Sequence, residues 1–329
     1  MTYSYRAFGF GIHSTLEIPG LVAATSRPGD YGITLESGPE PLWVKEATAD
    51  THRILSHLPA GLRTADPTFV LTEYGDADCF ALSYSDGARF VVNRSADRVW
   101  GTFDAPLTKE DLATYFLGPV MGFLLRRKQI TCLHASGVEL NGTAVLLCAD
   151  TGHGKSTTAA ALALRGAPVL GEDVVPLELS KGRFWAVPGY PRVCLWPDAV
   201  ASLTGDANAL PKLTPVWEKR YLPLDGVRAC FAQEKLPVGV IYRIAPRSGA
   251  ADAPRVELLR PREALLELVQ NTYMNWLLNR EQRAEEFNVL GNLVQQVPVR
   301  RLVPHDDPAR IPQLCELIES DARSVLVTS

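Results

Sequence analysis

Between Ala149 and Thr158 the chain reads Asp150-Thr151-Gly152-His153-Gly154-Lys155-Ser156-Thr157, two glycines followed by a cation and a hydroxyl. Glycines at that spacing let the backbone curl so that successive N–H groups face one anion, with the positive end of a following helix behind them. Such a cradle suits a polyphosphate. Lys155 would reach the β- and γ-phosphates, and the Ser156 hydroxyl would sit on Mg²⁺. Seventeen residues beyond Lys155 stand two adjacent acids, Glu172 and Asp173. Beside a bound polyphosphate, one carboxylate can hold Mg²⁺ while the other accepts the proton of an attacking hydroxyl. Taken alone, Gly-Lys-Ser is an ordinary surface turn and an acidic pair an ordinary strand end. Their succession points to phosphate chemistry.

Secondary structure has to bring these groups together. Val145 to Cys148 have the aliphatic, β-branched character of a buried strand, and Thr157 to Leu164, rich in alanine, read as a helix that Gly166 ends just after Arg165. Strand, glycine loop, helix is the context the cradle needs, although Ala149 stands where G-x-x-x-x-G-K-[ST] has its first glycine. Pro168 to Val175 read as a second strand with the acids at its end. Ligands of open α/β sheets lie at the carboxyl ends of strands, so the acids should face the phosphates. Ile130 to Leu140 form another apolar run, and Asn141-Gly142 is a type I′ turn signal leading into the cradle strand. His134 thus falls on the strand paired with the cradle strand, beside the nucleotide. His153 is either a loop filler or a phosphate contact.

Further along, Val187 to Asp198 combines rigid turns, aromatics and one cation. Arg192 could stabilise charge on a transferring phosphoryl group, with Tyr190 and Trp196 as packing or peptide contacts; a plain structural turn fits equally. Glu218-Lys219-Arg220-Tyr221 reads as a basic, mobile segment able to swing over a triphosphate. Val238 to Ile244, Arg255 to Leu259 and Val297 to Val303 read as strands. Helices are expected from Pro261, over Tyr273 to Leu278, over Arg283 to Val294 and over Asp307 to Asp321. His305-Asp306-Asp307 resembles a metal site, but three sequential residues on a Pro-flanked loop fit a helix N-cap better.

The first hundred residues have a different texture. Short strands are expected at Tyr3 to Ile12, Tyr31 to Leu35, Phe69 to Glu73, Phe80 to Tyr84, Phe90 to Asn93 and Arg98 to Thr102. Pro and Gly cluster at positions 19–20, 28–29 and 38–41 as loops, and Ser85-Asp86-Gly87-Ala88 is a hairpin signal. Near residue 106 the pattern turns helical: Thr108 to Asp111 resembles a capping box, an apolar stripe follows, and Arg126-Arg127-Lys128 suits a helix C-terminus. This divides the chain into a β-rich accessory domain, residues 1–105, and a catalytic domain, residues 106–329. The first carries no acid pair, His cluster or glycine loop. Docking, assembly into a homo-oligomer and substrate recognition all remain open for it.

With 329 residues, 46% of them apolar, the chain can bury a sizeable core. A formal net charge of −4 gives no general attraction to nucleic acid or to an anionic membrane. No apolar run reaches the roughly 18 residues of a membrane span, and Met1 to Arg6 lacks the charged-then-apolar pattern of an export signal. Six cysteines, widely scattered and without a C-x-x-C, read as buried thiols of a reduced compartment. The cytoplasm is the expected location.

The run Leu133-His134-Ala135, Asn141-Gly142, Gly152-His153-Gly154-Lys155-Ser156, Arg165-Gly166 and Glu172-Asp173-Val174-Val175 resembles the catalytic core of the HPr kinase/phosphorylase family. Within that family it is most similar to kinases of bacterial peptide-modification clusters that phosphorylate the C-terminal serine of lasso-peptide precursors. Tyr5-Arg6-Ala7 matches the opening strand of those relatives. The resemblance implies an α/β fold: a P-loop kinase core of the HPr kinase/PEP carboxykinase type, a mixed central sheet flanked by helices, behind a β-rich N-terminal domain. It implies ATP and Mg²⁺ as cofactors, and a serine of a peptide or protein, or a small-molecule alcohol, as acceptor. Lys155 and Ser156 then bind phosphate and Mg²⁺, Glu172 stands where the family has its catalytic Asp, Asp173 matches the metal-associated acid, and His134 matches the active-site histidine. Arg192, Lys219 and Arg220 would balance charge. Two other classes compete. An ATPase that couples hydrolysis to motion places its second acid after four apolar residues far beyond the cradle, and that pattern is missing. A nucleotide-binding regulator without catalysis stays open, because Glu172 replaces an Asp.

Overall fold

The computed structural model describes residues 1–24, 31–49, 52–59, 68–75 and 79–328. The chain divides into two compact units, Met1–Lys128 with Leu213–Trp217, and Gln129–Lys212 with Glu218–Ser329.

The first unit is built on one mixed sheet. Its strands are β1 (Tyr3–Ala7), β2 (Phe10–Ser14), β3 (Tyr31–Ser37), β4 (His52–Pro59), β5 (Thr68–Tyr74), β6 (Cys79–Tyr84), β7 (Arg89–Asn93) and β8 (Arg98–Thr102), in the order β1-β2-β3-β8-β7-β6-β5-β4. The single strand expected over Tyr3 to Ile12 is a hairpin. Phe8 and Gly9 both take positive φ, 54° and 81°, the two-residue turn that folds β2 back on β1 with Ala7 opposite Phe10. The expected hairpin around Asp86-Gly87 joins β6 to β7. The Pro-Gly cluster at 28–29 lies outside the described residues. A short helix α1 (Leu42–Thr48) buries Val44 against Cys79, Ala81, Val91 and Trp100.

After β8, the Asp111 carboxylate accepts from both the N–H and the hydroxyl of Thr108 and starts α2 (Lys109–Tyr115). Pro119, which has no N–H to donate, sits in a widened π turn, Phe116–Val120, that leads into α3 (Met121–Arg127). Phe123 packs edge-on to Phe80 of β6, and Tyr115 lies 4.0 Å from Tyr84 between ring centroids. Those contacts tie the helical stretch to the sheet, so the division between units falls after Lys128 rather than near residue 105. The segment Leu213–Trp217 belongs to this unit too: the Trp217 indole meets Tyr115 edge-on at 5.4 Å.

The second unit is mixed α/β. Its strands are β9 (Cys132–Leu133), β10 (Ala135–Leu140), β11 (Thr143–Cys148), β12 (Val169–Gly171), β13 (Val175–Ser180), β14 (Arg183–Ala186), β15 (Arg192–Leu195), β16 (Arg220–Pro223), β17 (Leu236–Ile244), β18 (Arg255–Leu258) and β19 (Val299–Val303). The sheet runs β12-β10-β11-β17, with β19 and then β18 continuing beyond β17, while β14, β13 and β9 extend from the start of β17. β15 and β16 form a separate pair. β11 shows why this sheet is covered on both faces. Val145 and Leu147 point into a core shared with α4 (Lys155–Leu164), α5 (Pro197–Thr204) and α8 (Ile311–Thr328). Ala144, Leu146 and Cys148 point into a second core shared with α6 (Pro261–Gln270) and α7 (Arg280–Gln296). The alanines of α4, from Ala159 to Ala163, let that helix lie close on the sheet, and fully buried Leu162 contributes roughly 2 kcal/mol of transfer free energy.

Several expected elements differ here, among them the helix expected over Tyr273 to Leu278, which is a turn closed by a single 3-10 helix, Asn275–Leu277. The run Ile130 to Leu140 is broken at His134, where the chain leaves β13 (Leu133 opposite Val175) and joins β11 (Ala135 opposite Cys148). The strand expected over Pro168 to Val175 is likewise two strands, β12 and β13, parted at the acids by Asp173 with φ 68°. Of the basic segment at Glu218 to Tyr221, read from sequence as mobile, Arg220 and Tyr221 belong to β16, opposite Leu195 and Cys194 of β15, while Glu218 and Lys219 precede the strand. By contrast, Asn141 and Gly142 make the expected turn, both at positive φ, and Asp307 accepts from the Ala309 N–H as the cap expected there.

Candidate active site

The loop between β11 and α4 sets the geometry. Gly154 is the N-cap of α4 with φ 95°, and no side chain caps the helix, so its first amides remain available to an anion. Any residue with a Cβ would be strained at that φ, and the atom nearest to such a Cβ would be a guanidinium nitrogen of Arg247, 3.9 Å away. Asp150, Thr151 and Gly152 are exposed, while His153 turns its Nδ1 onto the Thr151 carbonyl at 3.3 Å, the behaviour of a loop filler. Ser156 and Thr157 follow in the first turn of α4, half-buried.

Lys155 is only 6% exposed. Its Nζ donates to the Ala149 carbonyl at 3.3 Å and lies 3.1 Å from His134 Nε2. The same Nε2 lies 3.0 Å from Asp173 Oδ1. One ring nitrogen cannot accept from the ammonium and donate to the carboxylate at once, so His134 serves, through Nε2, only one of these two partners in any given tautomer. It is held there by its own N–H, which donates to Asn271 O at 2.7 Å, and by Tyr273, whose ring meets the imidazole edge-on at 5.8 Å. Ser156 Oγ donates to Glu172 Oε1 at 2.6 Å.

The two acids are driven apart electrostatically. Burial, and next the charge of Asp173, push Glu172 above the ordinary carboxylate range, against the pull of Lys219, the Ser156 hydroxyl and Lys155. Asp173 goes the other way. Burial works to raise it, but the hydrogen bond and field of His134, with Lys155 and Lys219, outweigh that and hold it well below the usual value. Adjacent carboxyls pushed in opposite directions leave Glu172 the more readily protonated of the two and Asp173 the more readily ionised.

His134, Lys155, Ser156, Glu172 and Asp173 therefore converge. Lys219 bears on both acids while its ammonium sits 5.0 Å above the Trp196 ring. Tyr190 is buried and feels both acids, and burial holds its phenol far above neutrality, so it stays protonated. Beside it, burial pushes the Cys194 thiol up to about 12, which leaves it unreactive at neutral pH. Two further expected residues make other contacts. Arg192 lays its guanidinium over the Tyr221 ring at 4.5 Å, and Arg220 donates to the Leu210 carbonyl and to Asn208, holding the 208–210 loop.

Sequence reasoning missed Arg243 and Arg247. Arg243 is the last residue but one of β17, opposite Cys148 across a parallel pairing, and its side chain is 10% exposed. It donates to Asp150 Oδ1 at 2.9 Å, to Glu267 at 3.0 Å and to the Ile244 carbonyl, and so pins the start of the glycine loop. A cation in an otherwise apolar strand was the available signal. We expect Arg243→Gln to cost about 2 to 3 kcal/mol, short of a full buried-pair loss because Glu267 keeps Arg301 at 3.1 Å. Thermal denaturation with and without ATP will read both the lost stability and the weaker nucleotide binding of a loosened loop.

Ser156, donating its proton to Glu172, keeps its oxygen lone pairs for a hard cation, and Asp173 is a ready anion. These donors suit Mg²⁺. Among the described residues no cluster of three His, Cys, Asp or Glu could hold a metal alone, so the ion would take the rest of its shell from phosphate oxygens and water. Among the same residues no helix is long and apolar enough to cross a membrane.

Comparison with family models gives no match, and no curated protein matches the chain. Among solved structures, the HPr(Ser) kinase/phosphatase from Coxiella burnetii is similar at 17% identity, covering 60% of this chain and 91% of its own, with a TM-score of 0.31.

Proposed function

We propose that this protein is an ATP-dependent kinase that transfers the γ-phosphoryl group to a hydroxyl, a serine of a peptide or protein such as the C-terminal serine of a lasso-peptide precursor. The observation that carries this reading is the convergence of Lys155, Ser156, Glu172, Asp173 and His134 around the open end of α4. The loop amides and Lys155 bind the phosphates. Ser156 and Asp173 would hold Mg²⁺, which would supply positive charge against that of the phosphates. Glu172, raised by burial, accepts the proton of the acceptor hydroxyl as it attacks in line. His134, within hydrogen-bond reach of both, positions Lys155 and Asp173 relative to each other.

The test is transfer of label from γ-labelled ATP to serine-ended peptides, internal-serine peptides and free polyols, each supplied in turn. Labelled phosphoserine is the expected product. Label on a polyol alone would shift the acceptor to a small molecule, and no consumption of ATP with any acceptor would leave a nucleotide-binding regulator.

A further inference from the structure

Beyond the residues that meet the phosphates, the second unit contains a cavity of about 340 Å³ lined by Val269, Thr272, Trp276, Leu278, Phe287 and Leu290. It lies between the end of α6, the turn Asn275–Leu277 and α7. We propose that this cavity binds an apolar side chain, aliphatic or aromatic, of a peptide acceptor, close in sequence to the hydroxyl that is phosphorylated. The proposal rests on the kinase reading above and names the class of its substrate.

Continuity with the site is the first ground. Thr272 lines the cavity and bridges Leu133, the residue before His134; Asn271 accepts from the His134 N–H, and Tyr273 donates its N–H to Cys132 and packs on the His134 ring. One three-residue segment thus carries the cavity wall and the backing of His134. Position is the second. His134 contacts Lys155 and Asp173, the groups at the transferring phosphoryl, whereas Arg247 flanks the loop at Gly154. An in-line acceptor must enter on the side of the acids and His134, away from the leaving nucleotide.

Charge and size are the third and fourth. The cavity's two charged residues, Arg283 and Glu286, are of opposite sign, which favours a neutral occupant over a phosphate or a nucleotide. Its volume stands at the low end of ligand pockets, enough for one or two side chains. Phe287 is 48% exposed, an apolar surface that a bound peptide would cover. Met274, at φ 47°, turns the chain from Tyr273 into the cavity wall, a left-handed conformation that a non-glycine residue holds only where its surroundings demand it.

The experiment compares serine peptides that carry Phe, Leu, Gly or Lys at the positions flanking the serine, in wild type and in Phe287→Asp and Trp276→Ala. Phe287 is exposed, so its substitution leaves the core intact. In wild type the Phe or Leu peptides are expected to show a KM roughly ten- to a hundredfold below that of the Gly peptide. Both variants should erase that difference, with the affinity for ATP, titrated directly, within twofold of wild type. A preference that survives both substitutions overturns the proposal, as does a wild-type enzyme indifferent to the flanking residue. If no peptide is phosphorylated, equilibrium binding of the same peptides decides. Selective binding of the apolar ones, lost in Phe287→Asp, keeps the cavity assignment and removes the kinase reading; no selective binding removes the cavity assignment as well.

Discussion

Lys155→Ala will lower phosphoryl transfer by about 10²- to 10³-fold, the usual cost of removing a fixed charge from a developing anion. It will also weaken ATP binding. The ammonium is nearly sealed from water, is fixed by the Ala149 carbonyl, and stands beside the His134 nitrogen that also faces Asp173. A charge-assisted bond to phosphate in that setting is stronger than one at the surface, because water neither competes for the donor nor screens it. Single-turnover transfer and a direct ATP titration separate the two effects. Wild-type turnover in this variant would end the proposed assignment.

Glu172→Gln should abolish transfer, by roughly 10²- to 10⁴-fold, while ATP still binds. The same change should make the empty protein more stable at neutral and alkaline pH. Glu172 holds its proton in the folded state at a pH where the unfolded chain has released it. Its contribution to stability is therefore complete below the unfolded value and is lost as pH rises through the raised folded one. An uncharged amide at that position carries no such loss, so the melting temperature of the variant should exceed that of wild type above that window and converge with it below. Asp173 tilts the curve in the opposite sense. Its depressed value adds stability above the unfolded range, which disappears as pH falls through the folded one. A pH series of melting curves for both proteins, beside the pH dependence of turnover, checks the pair. Unaltered turnover in Glu172→Gln would show that the proton goes elsewhere.

What could be read in advance was local. Gly152 to Ser156, the Asn141-Gly142 turn, the Thr108 start signal and the alanine face of α4 each depend on neighbours within a few residues, and each formed as its residue types require. The acids were visible as residues, but the kink at Asp173 was not. A left-handed Asp is chosen by what surrounds it, here His134 on one side and the return into β13 on the other. Arg243 was hidden for a related reason. Ninety-three residues part it from Asp150, and only the parallel pairing of β11 with β17 brings the two together. The pairing of Arg220 and Tyr221 was hidden because β15 offers backbone partners that sequence spacing does not announce. The ring that Arg192 lies on, Tyr221 of that same pair, was likewise out of sight in the sequence.

The five residues Leu213–Trp217 fold with the first unit although the stretches on either side of them fold with the second. No single cut can therefore yield both units whole. A fragment starting at Gln129 would carry the Trp217 indole away from Tyr115, and one ending at Lys128 would leave the Tyr84–Tyr115 pair without its capping ring. Anyone dividing this polypeptide into separately expressed halves would have to restore the missing five residues to the shorter piece, or keep the chain in one.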